Sequence, residues 1–373
     1  MPPASSRGRE RQALSCAEAQ TELAEIKALK SAFDAAYDEA VKTGDLASVK
    51  ALRSDIESRM ASLREGLFSL ERELHLKEQY ASQRTILESA GILETLPSGE
   101  EGVRGMDGKP YPLPAYHEVM ARLRERKDVI KEKKEQGFGK LLLVPFGMQL
   151  DDLSRKYADL LRKHHAAGKL MATKEKPTDP DEPLSLDTTT PLWRWSEYDG
   201  ADVQGKLVYE PTAFDRATHG GKTKAEMLAE DPRTSAPSPR SSASAWRILL
   251  LEESPNIPRA TKGKDIGGRT QLEANQTPND YLAEIGTGTY ANESGLTPED
   301  WLAYAITHLE ETNEVIDDWQ GRGSIAYLTG AYFPASGYVP RADWNRGSGQ
   351  AYLSGDVPAN RYGGVGARSA VSV

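Results

Sequence analysis

Cysteine is almost missing from these 373 residues: Cys16 stands alone. A single thiol excludes an intramolecular disulfide framework and any zinc site built from clustered cysteines, and it suits a reducing compartment such as the cytoplasm. Long apolar runs are also missing. The longest, in "KLLLVPFGM" and "RILLL", fall far short of the about 20 residues a membrane-spanning helix needs. The N-terminal "MPPASSRGRERQALS" has arginines but no apolar core region behind them, so no secretory signal is expected. Positive charge is in deficit. The formal net charge is −9, which argues against nucleic acid and anionic membrane as partners. Apolar content of 38% and charged content of 28% fit a soluble, cytoplasmic globular protein, long enough for two domains or for one with an appendage.

Catalytic signatures are missing as well. No serine lies in a G-x-S-x-G elbow, and Cys16 has no base near it in sequence. "HGGKTK" (His219 to Lys224) lacks the first glycine of a phosphate loop, that position being Arg216, so a lysine-rich turn is expected. His164 and His165 are adjacent on a predicted helix and point apart, as solvated residues rather than a metal pair. Asp151/Asp152, Glu310/Glu311 and Asp317/Asp318 do not have the alternating oxygens of a calcium loop and read as charged helix faces. No cofactor and no metal are expected. The alternative, an enzyme or cofactor protein, rests on the aromatic group Trp193, Trp195, Tyr198 and Tyr209, a composition that more often makes core than pocket.

What is present begins with helix. Residues 17–91 contain no proline, and Val49, Ile56, Leu63 and Leu70 recur every seven positions, with Met60, Leu67 and Leu74 in the second place and Arg53 interrupting it. That is a coiled-coil seam. An earlier helix carries Leu23, Ile26, Leu29, Phe33 and Tyr37 on one side, and "KTGDLAS" breaks the two with Gly44 and an Asp45 N-cap. A helical hairpin follows from this, packing on itself or the body, or joining copies into a homo-oligomer. A third role, a purely structural subunit, would use the same surface. Residues 1–95 form this hairpin, 96–136 a Gly/Pro-rich connector with a charged helix, and 137–373 the remaining domain. "PLWRWSEYDGADVQGKLVYEP" reads as two strands around a turn, and residues 231–245 as a low-complexity loop or boundary. "WRILLLEE" reads as a strand, and "QTPNDYLAEI" and "LTPEDWLAYAITHLEETNEVIDDW" as helices with Thr N-caps and Pro at the first position. This order of elements predicts an α+β domain.

The tail "ADWNRGSGQAYLSGDVPANRYGGVGARSAV" carries the most specific signal. With Trp344, the "QAYL" stretch and "VGAR" in place, it resembles the C-terminal signature of C-type-lectin-like domains of the formylglycine-generating (sulfatase-modifying) type, with Ala367 standing where an aromatic is usual. More closely, it is similar to the variable proteins of diversity-generating retroelements, as are "GFGKLLLVPFGMQLDDL", "WRILLLE", "PNIPR", "LTPEDWLAYAITHLEETNEVIDDWQGRGS" and "GAYFPASGYVP". In that family a reverse transcriptase rewrites the 3′ end of the gene at adenines, and asparagine codons are the richest source of change. The resemblance implies a C-type-lectin-like domain whose first and last strands pair, "WRILLL" beside "ARSAVSV", with two helices on the sheet. It also implies that a variable segment at about 340–364 binds an unidentified ligand, expected to be a protein, without catalysis. The oxidase relatives need cysteines in this domain, which has none. The residues it nominates for the ligand face are Arg341, Asp343, Asn345, Ser348, Tyr352, Ser354, Asn360 and Tyr362, a mixture of Tyr with Ser, Asn and Gly that also marks antibody paratopes. Trp344, Leu353, Ala367, Ala370, Val371 and Val373 are expected to be framework.

Overall fold

The computed structural model describes residues 16–44, 46–176, 178–230, 245–321 and 323–373, the side chains of residues 16–19 and 64–72 excepted. The expected Asp45 cap, the low-complexity segment 231–244 and the heptad residues Leu67 and Leu70 lie outside the described residues. The chain divides into two compact units, Met1–Gln79 and Tyr80–Val373.

The first unit is a helical hairpin. Helix α1 (Cys16–Thr43) stops at Gly44, whose φ of 76° is left-handed, and α2 (Ala47–Ser89) runs back along it. Ile26 packs on Leu63, and Arg59 reaches across to Glu25 at 2.5 Å and Glu22 at 3.5 Å. The heptad is used only in part. Val49 and Ile56 are half-buried and Leu63 is buried, but Met60 and Leu74 in the second position are about half exposed. On α1, Leu23 and Tyr37 also face solvent. Two helices alone cover one narrow stripe each, so the seam expected from the spacing is left half open.

The second unit is mixed α+β. It begins with the end of α2, from Tyr80 to Ser89, which includes Gln83, and continues with three short strands, β1 (Glu94–Thr95), β2 (Glu101–Arg104) and β3 (Pro110–Pro112), which make a small meander where a connector was expected. Helices α3 (Tyr116–Glu125) and α4 (Lys127–Glu135) lead into β4 (Phe138–Val144) and then α5 (Leu150–Ala166). The middle of the chain contributes β5 (Leu192–Arg194), β6 (Val208–Tyr209), β7 (Lys222–Thr223) and α6 (Lys224–Ala229). Next come β8 (Arg247–Glu252), the β9 (Asp265–Ile266) and β10 (Arg269–Thr270) ribbon, α7 (Pro278–Glu284), β11 (Ser294–Gly295) and α8 (Pro298–Thr312). The tail holds β12 (Ile325–Tyr327), β13 (Ala331–Tyr332), β14 (Val339–Asn345), β15 (Gln350–Asp356), β16 (Val365–Ala367) and β17 (Ser369–Ser372).

Two sheets organise these strands. One has the order β11-β17-β8-β4, the other β16-β12-β14-β15-β5. The expected pairing of "WRILLL" with the tail is present: β17 lies antiparallel to β8, with Val371 opposite Leu250. However, β8 is not the first strand of its sheet. β4 flanks it, Leu142 opposite Leu249, so residues 137–144 and 247–252 share one sheet. Both strands are apolar without alternation because both are buried along nearly their whole length. The open side of β4 is met by Gln83 of α2, whose amide donates to the Leu141 carbonyl and accepts from the Leu143 N–H at 2.8 Å. The hairpin expected from "PLWRWSEYDGADVQGKLVYEP" does not form. β5 pairs in parallel with β15, while β6 pairs with β13 and β7. Each of these short strands finds a longer partner made elsewhere in the chain.

Helices α6, α7 and α8 start alike, on Thr223, Thr277 and Thr297, each accepting from the N–H three residues on. On α8 the acids of the first turn are not surface charges. Glu299 and Asp300 are fully buried, and Glu299 lies 2.8 Å from Lys224 while Asp300 lies 2.9 Å from Arg247. Lys224 also binds Asp202 at 2.7 Å and the Met148 carbonyl at 2.9 Å, between the rings of Phe146 and Tyr209. The "HGGKTK" lysine is therefore a core residue, not part of a solvated turn. Removing one partner of such a group strands the others. Lys224→Ala should cost about 3–5 kcal/mol in urea unfolding, whereas Lys222→Ala, which loses only an exposed contact with Glu230, should cost less than about 1 kcal/mol.

Candidate ligand-binding face

Strands β14 and β15 form a hairpin whose register sorts the tail into two faces. Asn345 sits opposite Gln350, Asp343 opposite Tyr352, Arg341 opposite Ser354 and Val339 opposite Asp356. Side chains alternate along a strand, so these residues share one face, and Ala342, Trp344, Ala351 and Leu353 share the other. The latter four are at most 1% exposed. Ala367, Ala370, Val371 and Val373 are buried too, as expected of framework.

Five of the eight nominated residues, Arg341, Asp343, Asn345, Tyr352 and Ser354, therefore lie together, joined by Gln350 and Asp356, which the sequence reading omitted. Arg341 donates to the Ser354 hydroxyl at 2.8 Å and to Asp356 at 3.0 Å. Asp356 in turn accepts from the Asn360 amide at 2.9 Å, and Asn360 reaches the Tyr362 hydroxyl at 3.1 Å. Asn360 and Tyr362 thus stand beside the sheet in the loop after β15, with Tyr362 exposed. Asn345 organises the hairpin turn: its side-chain oxygen accepts from the N–H of Gly347 at 2.9 Å and of Ser348 at 3.2 Å. The turn closes at Gly349, where φ is 64° and a Cβ would stand 2.9 Å from the Ser185 carbonyl.

Exposure is not uniform across this face. Arg341, Asn345, Ser348, Tyr352 and Asn360 are half-buried, but Asp343 and Ser354 are buried. Ser354 is covered by the guanidinium it accepts from. Asp343 differs: it is 4% exposed, and no donor among the described residues reaches its carboxylate. Burial pushes its carboxyl up to about 7, Arg341 opposing and Asp317 reinforcing.

The middle-region aromatics do not form one site. Trp193, on β5, lies beside Tyr352, ring centroids 5.1 Å apart and 32° from parallel, with Trp193 itself 38% exposed. It belongs to the face, and the parallel pairing of β5 with β15 that brings it there has no local sequence signal. Trp195 packs on Phe333 and Tyr338, Tyr198 is buried with its hydroxyl on the Ser354 carbonyl, and Tyr209 donates to Glu299 at 2.6 Å. Tyr198 and Tyr209 are core, and Trp195 is half-buried.

Other expectations change with burial. His164 is buried rather than solvated, its imidazole 3.7 Å from Glu310 and its basicity lowered by desolvation. Asp317 and Asp318 lie beyond the end of α8 and are fully buried. Asp317 accepts from both terminal nitrogens of Arg368 at 2.7 Å and from the Trp301 indole at 2.8 Å, while Asp318 holds Arg346 at 2.6–3.0 Å. Each is a structural counter-ion. No group of three or more His, Cys, Asp or Glu side chains suited to a metal occurs among the described residues. A cleft of about 320 Å³ between Phe214 and Leu282, and a space of about 20 Å³ beside Ile257 and Arg368, include no residue of the β14–β15 face.

Asp343 gives this face a measurable signature. The carboxyl ionises near 3.8 when unfolded and near 7 when folded, so stability falls as pH rises through that window. Asp343→Asn has nothing to ionise. Relative to wild type it should gain about 2–4 kcal/mol in unfolding free energy between pH 4 and pH 8. Parallel pH profiles would show that the carboxylate is not desolvated. No protein-family model, no curated protein and no solved structure matches this chain.

Proposed function

We propose that the protein is a non-enzymatic, hypervariable recognition module, its C-terminal face of C-type-lectin type diversified by a retroelement to bind a macromolecular ligand. One observation carries this reading: β14 and β15 keep Ala342, Trp344, Ala351 and Leu353 on one side and place Arg341, Asp343, Asn345, Tyr352 and Ser354 on the other, with buried Val339 at the start of β14 the apolar exception on that side. Because alternation decouples the two sides, residues on the polar side can change without unpacking the core. The antiparallel pairing of β17 with β8 supports a lectin-like framework, since the resemblance implies that "WRILLL" lies beside the tail, although β4 precedes β8 in this sheet. Tyr352, Trp193 and Tyr362 offer rigid aromatic contact area, and Ser348, Asn345 and Asn360 offer adaptable hydrogen bonds.

Specificity and stability should separate. Substitutions at Ser348, Tyr352, Asn360 and Tyr362 should each change unfolding free energy by less than about 1 kcal/mol while altering which ligands a display library selects. Asn345 should cost about 1 kcal/mol because it caps the turn, and Trp344→Ala about 3–5 kcal/mol. Losses at Tyr352 as large as at Trp344 would make the face core. In DNA, the retroelement reading requires a near-copy of the segment encoding residues 340–373, differing at adenines and close to a reverse-transcriptase gene.

The hairpin supplies a means of multiplying sites. Leu23, Tyr37, Val41, Met60 and Leu74 remain exposed on it, as an unfilled seam would for a second copy of the chain. Avidity would then strengthen a modest single site. Light scattering should give a mass above 40.9 kDa, returning to that value in Met60→Glu/Leu74→Glu. A monomeric wild type would rule this out.

A further inference from the structure

We infer that the face holds a built anchor for a cationic side chain of its protein partner, a guanidinium or ammonium seated on the Asp343 carboxylate against the ring of Tyr352. The inference rests on the reading of this face as the ligand surface and names the chemistry it selects.

The anchor emerges from a local imbalance of charge. Asp343 is 4% exposed and no donor among the described residues pairs with it. A buried ion without a partner is costly, and the nearest cation is committed elsewhere. Arg341 gives one nitrogen to Ser354 and another to Asp356, so its charge is matched within the face. Asp317, the other carboxylate that acts on Asp343, is itself fully engaged by Arg368 and the Trp301 indole. The arrangement is therefore one positive charge short of neutrality, at a position on the ligand side of the hairpin.

Aromatic surface stands beside that charge. Tyr352 is directly across from Asp343 in the ladder, and Trp193 extends the ring surface outward at 5.1 Å. Ring faces carry negative potential and attract cations, most strongly where water is excluded. A carboxylate accepting two parallel N–H bonds beside a ring face matches a guanidinium in charge, planarity and hydrogen-bond direction. A neutral ligand would leave the carboxylate unpaired, and an anionic one would be repelled. Among proteins, this selects segments presenting arginine or lysine.

The test uses N-acetyl-arginine methylamide and its uncharged counterpart N-acetyl-norleucine methylamide. Each is titrated at pH 8 into the full chain, wild type, Asp343→Asn and Trp193→Ala/Tyr352→Ala. Backbone amide shifts of residues 341–345 and 350–354 report binding. The expected result is saturable binding of the arginine derivative, about tenfold weaker in Asp343→Asn, and much weaker at pH 5, where the wild-type carboxyl is protonated. The other charged or titratable groups beside Asp343 are Arg341, Tyr352 and Asp317. Equal binding of both derivatives, or silence of the face with either, overturns the anchor. A parallel selection with a random peptide library separates this from the reading beneath it. Peptides without basic residues that bind wild type but not Trp193→Ala/Tyr352→Ala would leave the face standing and remove the anchor. Peptides indifferent to every face variant would remove both.

Discussion

Hydrogen bonds between β17 and β8 hold the second unit closed, and most of the remaining architecture hangs from them. They join the end of the chain to its middle, with Val371 opposite Leu250 and the Val373 N–H on the Ile248 carbonyl at 2.9 Å. β17 is an interior strand, with β11 on its other side. Just before it, Arg368 places its guanidinium on Asp317 and over the ring of Tyr304. Asp317 also takes the Trp301 indole of α8, and its carbonyl accepts from the Trp344 N–H of β14 at 3.0 Å. The last strand, the main helix and the hairpin of the polar face thus meet at one carboxylate and its backbone. A contact of such sequence separation forms late, because a large loop must close before it contributes.

That closure explains why the polar face can be tolerant. The residues on either side of it are fixed: β14 enters through Trp344 and Ala342, and β16 and β17 leave through buried Val365, Ala367 and Val371. Between them the register is set by the pairing of seven residues on each strand and by the Asn345–Gly349 turn. A one-residue slip would exchange the two faces, turning Arg341 and Asp343 toward the apolar side and Trp344 away from it, so the register is strongly defended.

Legibility followed the same division. β8, α7 and α8 were readable because continuous apolar runs and Thr-Pro caps are local signals, and the framework residues of the tail were readable from their apolar character. Asp343 and Ser354 look like surface in sequence because polar residue type ordinarily implies exposure, whereas their burial depends on neighbours supplied by other strands. The place of Trp193 on this face is not legible in sequence because the parallel pairing of β5 with β15 has no turn to announce it. Lys224, Glu299, Asp317 and Asp318 illustrate the general case. Each looks solvated in sequence, and each is buried because a counter-charge distant in the chain meets it. Ionic pairing of this kind leaves no periodicity to detect.

Gln83 has a consequence beyond its two hydrogen bonds. β4 ends its sheet, and an apolar edge strand with free amides and carbonyls is a template onto which another chain can add. The carboxamide of Gln83 offers one donor and one acceptor at the spacing of a peptide group, so a side chain of a helix stands where a neighbouring strand would begin. The protein thereby occupies its own most adhesive edge with a residue that cannot propagate the ladder. Fibrous growth through β4 would therefore first have to displace a side chain that is already hydrogen-bonded in place.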